Sequence, residues 1–227
     1  MLGSLRKCGK KFMNKLDYKK AYKDIYIPKK IPAIIDIPPI QYVIVEGQGD
    51  PNTSFEYQEA IELLYGLSFT IKMSKMTDHV PQGYFEYVVP PLEGLWWCDD
   101  CNFDGLHIND KGRLHWKSMI RLPEFVDIHI FEQAKQQLKV KKPELHVDKL
   151  HYEVIEEGLC VQIMHIGSYD SEAKSILKMN QFIKDNGLQL DVNEKRFHHE
   201  IYLSDPRRTK TENLKTVIRH PVKKVIL

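Results

Sequence analysis

The chain has 227 residues, 42% apolar and 28% charged. That is the balance of a soluble globular protein whose core needs no covalent staples. No apolar run approaches the roughly 20 residues of a membrane helix, and the basic N-terminus lacks a secretory signal's apolar stretch and cleavage site, so no membrane contact and a cytoplasmic protein are expected. Residues 1–30 carry ten Lys or Arg against two Asp or Glu, and the rest holds 23 basic against 29 acidic residues, net −6. An acidic body disfavours a nucleic-acid groove and suits cationic small molecules.

Residues 1–12 show no periodicity, and Met13 offers a second plausible start. Pro28, Pro32, Pro38 and Pro39 punctuate a basic arm, residues 1–40, expected to run extended over the surface. The β-branched run Gln41–Glu46 reads as a strand closed by the turn at Gly47-Gln48-Gly49-Asp50-Pro51. Thr53 or Ser54 then caps a helix to about residue 75, with Ala60, Leu64, Leu67 and Ile71 on one stripe. Gly66 inside it costs up to about 1 kcal/mol unless something packs closely there. Tyr84–Trp97, broken by Pro90-Pro91, reads as a strand, residues 113–122 as its hairpin partner, and residues 124–142 as an amphipathic helix.

The order then repeats. A strand at about 150–156 precedes Leu159–Ile166, with Glu156-Glu157 as a solvated hairpin turn. Gly167-Ser168-Tyr169-Asp170 turns into a helix over 171–186, whose stripe is Ala173, Ile176, Leu177 and Ile183 and whose stop is Asn186-Gly187. Phe197–Ser204 and Leu214–Arg219 are the closing strands. The fold class is therefore α+β: duplicated strand–helix–strand–strand modules form one antiparallel-rich sheet, with helices on one face and a central ligand groove at the seam. Residues 41–224 form one domain of two pseudo-symmetric halves, 41–123 and 145–224, and the opposite sheet face is left partly open.

Four cysteines are too few for a disulfide scaffold in a chain of this size. Cys98-Asp-Asp-Cys101, with His107 and His115 downstream, has metal-ligand or redox spacing, but a turn with two reduced thiols is the expected reading, with no metal and no cofactor. The densest polar stretch is His198-His199-Glu200-Ile201-Tyr202. On a strand, His198, Glu200 and Tyr202 share one side, and His198 and His199 point to opposite sides. Arg207-Arg208 follow Pro206 and read as surface. No GxSxG, P-loop, HExxH or GxGxxG motif occurs.

His165-Ile-Gly-Ser-Tyr169 and the run from His198 to Pro206 resemble the GyrI-like small-molecule-binding family, its stand-alone subfamily best. Val45–Asn52, Leu92–Trp97 and Leu214–Pro221 are similar as well, so the resemblance covers roughly residues 13–224. It implies a central pocket for bulky, flat, often cationic compounds. It also implies that Glu200 matches the family's pocket glutamate. Members fused to a helix-turn-helix regulate transcription, but residues 1–40 are too short and Pro-broken to hold that module. Some stand-alone members imply a second activity, hydrolysis of the cyclopropane of duocarmycin- and yatakemycin-like genotoxins.

The expected ligand-binding residues are Glu200, its proposed pseudo-symmetric counterpart Glu93, one of the neighbours Trp96 and Trp97, the seam tyrosines Tyr169 and Tyr202, and Tyr57 and Tyr65 on the first helix. Adjacent strand residues face opposite ways, so one of the two tryptophans is core. If the protein is an enzyme, Glu200 and Glu93 are the catalytic carboxylates. The expected function is capture of aromatic or cationic small molecules for sequestration or xenobiotic defence. The alternatives are the cyclopropane-opening hydrolase and a ligand-sensing partner of a separate regulator.

Overall fold

The computed structural model describes residues 15–77, 80–98 and 111–225; Cys8, Met13, Cys101 and His107 lie outside them. Tyr18–Ala21 (α1) and Lys23–Tyr26 (α2) are single helical turns that bury Tyr18 and Tyr26, so this part of the arm is folded into the protein rather than extended over its surface. Ala33–Ile37 (β1) and Ile40–Gln48 (β2) follow, separated by Pro38-Pro39. Phe55–Met73 (α3) starts where Ser54 accepts a hydrogen bond from the Tyr57 amide. Its stripe Ala60, Leu64, Leu67 and Ile71 is fully buried, each large side chain contributing about 1.5–3 kcal/mol. Gly66 is where Leu138 packs closely: an added Cβ would sit 3.1 Å from its Cδ1.

Leu92–Trp97 (β3) begins later than expected, because Tyr84, Phe85 and Tyr87 cluster with Phe125 ahead of the proline pair instead of extending the ladder. His115–Arg121 (β4) pairs with it, and Ile128–Lys141 (α4) is capped by Asp127. His151–Ile155 (β5) and Gly158–Ile166 (β6) open the second half. Ala173–Asp185 (α5) buries Ile176, Met179 and Ile183, whereas Leu177, expected on the stripe, is 59% exposed. Gly187, at φ +65°, supplies its left-handed stop. Leu188–Leu190 (β7), His198–Tyr202 (β8) and Lys215–Lys224 (β9) complete the fold. Cys98 is disulfide-bonded, which replaces the reduced thiol expected there.

All strand pairs are antiparallel, in the order β1-β6-β9-β8-β3-β4-β2-β5, with β7 on the far end of β9. The halves meet at β3 and β8. Their leading strands are exchanged: β1, which runs into β2, pairs with β6, and β5, which runs into β6, pairs with β2. The register continues unbroken through the proline pair, from Ala33 opposite Gln162 to Ile44 opposite His151. This long ladder joins the two outer ends of the sheet and curls it.

Helices α3 and α4 cover one half of the outer face, and α5 covers the other. The opposite face, expected to be partly open, is filled by Ile37, Tyr42, Ile44, Leu95 and Met119, with Ile25, Tyr18 and Tyr26 from the N-terminal turns closing over it. The extra apolar residues of the arm supply that cover.

Candidate functional site

Strand β8 is polar on both faces, and each face carries its own cluster. Its pairing with β3 sets Trp96 beside His198, Gly94 beside Glu200 and Leu92 beside Tyr202, all toward the helices. Glu93, Leu95, His199 and Ile201 point the other way. Glu93 therefore lies opposite Ile201 rather than Glu200, and the expected convergence of Glu93 and Glu200 in one seam does not occur.

On the helix face, Gly94 lets two rings close over the β3–β8 pair. An added Cβ would lie 2.8 Å from Trp96 Nε1 and 3.2 Å from Tyr202 Oη. The indole N–H donates to the Tyr202 hydroxyl at 3.0 Å. Tyr57 of α3 lies 5.9 Å from Trp96, ring to ring, and stands edge-on to Trp116 at 5.0 Å. Tyr169, at the turn before α5, meets Tyr202 edge-on at 5.9 Å. Glu200 is thus a carboxylate with an exposed fraction of only 14% within an aromatic wall.

Its partners are uncommon for a buried carboxylate. His198 Nε2 lies 2.9 Å from Glu200 Oε1, and His198 Nδ1 lies 2.8 Å from His220 Nε2 on β9. Glu172, entering at the start of α5, is only 5% exposed and brings its carboxyl group within 4.8 Å of Glu200. Burial opposes the Glu200 charge, yet the polar groups beside it, His198 first, hold its carboxyl below the usual range. Burial, reinforced by the Glu200 charge, keeps Tyr202 well above the usual phenol range and pushes Tyr169 up to about 12. Tyr57 is raised mainly by burial. Burial, helped by the positive potential of His198, holds His220 well below the usual imidazole range. The donor atoms of Glu172, His198 and Glu200 lie within 4.8 Å of one another, a set that could hold a divalent cation.

The inner face carries an ion-pair network. Arg219, fully buried, donates to Glu157 Oε2 at 2.6 Å, to Gln162 Oε1 through two nitrogens at 3.1 Å, and to the Ile25 carbonyl at 3.1 Å. His199 bridges Glu157 at 2.9 Å and Glu93 at 3.1 Å. Tyr26 and Tyr42 donate to Glu93 at 3.3 Å each. Glu157, expected in a solvated turn, instead turns its side chain inward, leaving 11% of it exposed. Desolvation resists its charge, but His199 and Arg219 bring its carboxyl down to about 2.

The structure thus brings Glu200, Trp96, Tyr57, Tyr202 and Tyr169 together. Trp97 is on the inner face, stacked with His115 at 5.5 Å and against Phe197 at 4.7 Å. Tyr65 is 36% exposed beside Phe69 on α3, near Asp205 and Arg207 of the loop after β8. His165 lies 3.0 Å from both the Ser175 hydroxyl and the Ser168 carbonyl. Arg207 and Arg208 are exposed. Sequence reasoning missed Glu172, hidden in an amphipathic helix start, and His220, between Arg219 and Pro221 on β9. Only His220's spacing from Ile218 and Val222 on the buried side of β9 could have signalled it. A surface depression of about 430 Å³ lies elsewhere, lined by Glu46, Lys149, His151, Tyr152 and Glu153.

The sequence profile of the GyrI-like small molecule binding domain matches residues 130–223. Two proteins of Listeria innocua have closely similar structures. One, described as an uncharacterized conserved protein, is 42% identical, with 92% of this chain and 100% of that chain covered and a TM-score of 0.87. The other, described as a hydrolase, is 40% identical over 92% of this chain and 100% of its own, with a TM-score of 0.84. No curated protein matches the sequence. Profile and whole-length likeness agree with the antiparallel α+β fold, and the chain belongs to the GyrI-like small-molecule-binding family.

Proposed function

We propose that this protein captures bulky aromatic cations at the Glu200 seam, in sequestration or xenobiotic defence. One observation carries the reading. Glu157 and Glu200, carboxylates of similar side-chain exposure at 11% and 14% on opposite sheet faces, are neutralised differently. Glu157 is held by the guanidinium of Arg219 at 2.6 Å, a permanent partner suited to a structural role. Glu200 is met by an imidazole, a phenol and a second carboxyl group among aromatic rings. A flat cation supplies the charge this arrangement lacks, and the indole and phenol faces add about 0.5–2 kcal/mol per contact. Tyr169, 39% exposed, and Tyr65, 36% exposed, stand at the outer end as rim residues.

The test is fluorescence titration with ethidium, a flat permanent cation. Wild type binds, and Glu200→Gln, which keeps shape and removes charge, weakens binding at least about tenfold. Equal affinity of the two proteins refutes the role of Glu200.

A second reading is supported by the 40% identical relative described as a hydrolase and by two carboxyl groups, of Glu200 and Glu172, within 4.8 Å of each other. In cyclopropane opening, water oxygen bonds to a ring carbon and loses a proton to Glu200. The broken C–C bond's electron pair moves through the conjugated dienone to its oxygen, which takes up a proton. Glu93 is on the wrong face for this step, so Glu172 replaces it as the second carboxyl group. A mass gain of one water on a cyclopropyl-dienone substrate, lost in Glu200→Gln, distinguishes turnover from capture.

A further inference from the structure

This inference rests on the capture reading above and concerns the far side of the seam, strand β4. Directly opposite residues of neighbouring strands face the same way. Ser118 of β4 lies opposite Gly94, and Gly94 lies opposite Glu200. The three form one row on the helix face, with Ser118 and Glu200 two strand spacings apart, about 10 Å. Between them Gly94 carries no side chain, and Trp96 and Tyr202 close over it as a hydrogen-bonded floor.

The two ends of this row differ in chemistry. Glu200 offers acceptor oxygens and negative charge. Ser118 is fully buried, and among the described residues its hydroxyl has no hydrogen-bond partner. The indole N–H of Trp116, two residues back on the same side of β4 and 1% exposed, has none among them either. The Trp96 N–H, by contrast, is taken by Tyr202 at 3.0 Å. Tyr57, edge-on to Trp116 at 5.0 Å, has its phenol near Ser118 and Glu200 alike, but makes no hydrogen bond with the Ser118 hydroxyl. A buried hydroxyl with no partner costs stability, and folded proteins keep few of them. An alanine would serve the core better, so the hydroxyl points to an occupant that the seam takes up.

We propose that Ser118 is a ligand-binding residue of this site: its hydroxyl donates to an oxygen acceptor, an ether or a carbonyl, on the same flat cation whose charge meets Glu200. The ligand lies across Gly94 on the Trp96–Tyr202 pair, with its positive charge at the β8 end and its oxygen at the β4 end. The Trp116 N–H is a second donor on that side for a ligand with two oxygens. Glu200 then sets the affinity for charge, and Ser118 sets the preference for oxygen-bearing cations over those that carry none.

The experiment is fluorescence titration of the full chain, wild type and Ser118→Ala, with two flat permanent cations: berberine, which carries ether oxygens, and ethidium, which has no oxygen. Ser118→Ala lowers the ratio of berberine to ethidium affinity by about three- to tenfold, the loss of one neutral hydrogen bond. Its urea midpoint stays within about 15% of the wild-type value or rises above it, because the hydroxyl has no bond to lose in the free protein. A ratio unchanged by Ser118→Ala overturns the proposal while capture stands. A Ser118→Ala chain that fails to fold, or whose midpoint drops further than that, also overturns it, since the hydroxyl then serves the fold. Absence of binding of either dye to folded wild type overturns capture and this inference together.

Discussion

Replacing Arg219 with Met tests the inner network that holds the back of β8. Arg219 is fully buried, and its donors fix Glu157 on the β5–β6 turn, Gln162 on β6 and the Ile25 carbonyl at α2. Methionine keeps much of the volume but leaves Glu157 charged and buried. The loss can be sized in two ways. His199 and Arg219 together hold this carboxyl at about 2 against an ordinary 4.5, which contributes about 3 kcal/mol at neutral pH and sets the ceiling for the share of Arg219 in that term. Breaking one side of a buried ion pair costs about 3–5 kcal/mol. The figures agree, and at about 2–4 °C per kcal/mol for a chain of this size the Tm falls by roughly 6–20 °C.

The sign with pH follows from the depressed carboxyl. Its stabilisation is complete above the unfolded carboxylate range and is lost as pH falls through about 2. The difference between wild type and Arg219→Met in urea denaturation, followed by circular dichroism, should therefore shrink as pH drops below about 4.5. The double variant Glu157→Gln, Arg219→Met should recover part of the loss, because the two effects couple. A single variant within about 1 kcal/mol of wild type at neutral pH, or a gap indifferent to acid, refutes the reasoning.

The other predictions concern the same two faces of β8. His199 is fully buried, which opposes its charge, but Glu157 and Glu93 raise it above its ordinary 6.5. Its stabilisation is complete below that value and lost as pH rises through the higher folded value, so Tm should fall on the alkaline side, and His199→Leu should flatten that fall. Gly94→Ala places a methyl 2.8 Å from Trp96 Nε1. It should destabilise by about 1–3 kcal/mol, shift tryptophan emission and weaken ethidium binding; unchanged emission would contradict the closed Trp96–Tyr202 pair.

Much of the architecture is legible in the chain because it depends on local periodicity. The stripe Ala60, Leu64, Leu67 and Ile71 specifies α3, Ser54 its start, and Asn186-Gly187 the end of α5. The period-2 pattern of His198, Glu200 and Tyr202 places them on one face because a strand allows no other arrangement. Leu177 shows the limit: its spacing fits the buried stripe, yet Met179 takes the buried position, since which arc of a helix faces the sheet is set by its partner.

The sequence by itself determined most of the helices and strands of residues 41–224, which follow from residues near one another along the chain, and its family resemblance pointed to Glu200. Only the tertiary structure decided which carboxyl group accompanies Glu200. Glu93 is one residue off the phase that pairing with β8 demands, while Glu172 and His220 arrive from separate elements. Strand register is fixed by distant hydrogen-bonded partners, and shifting it by one residue exchanges the two faces of a sheet.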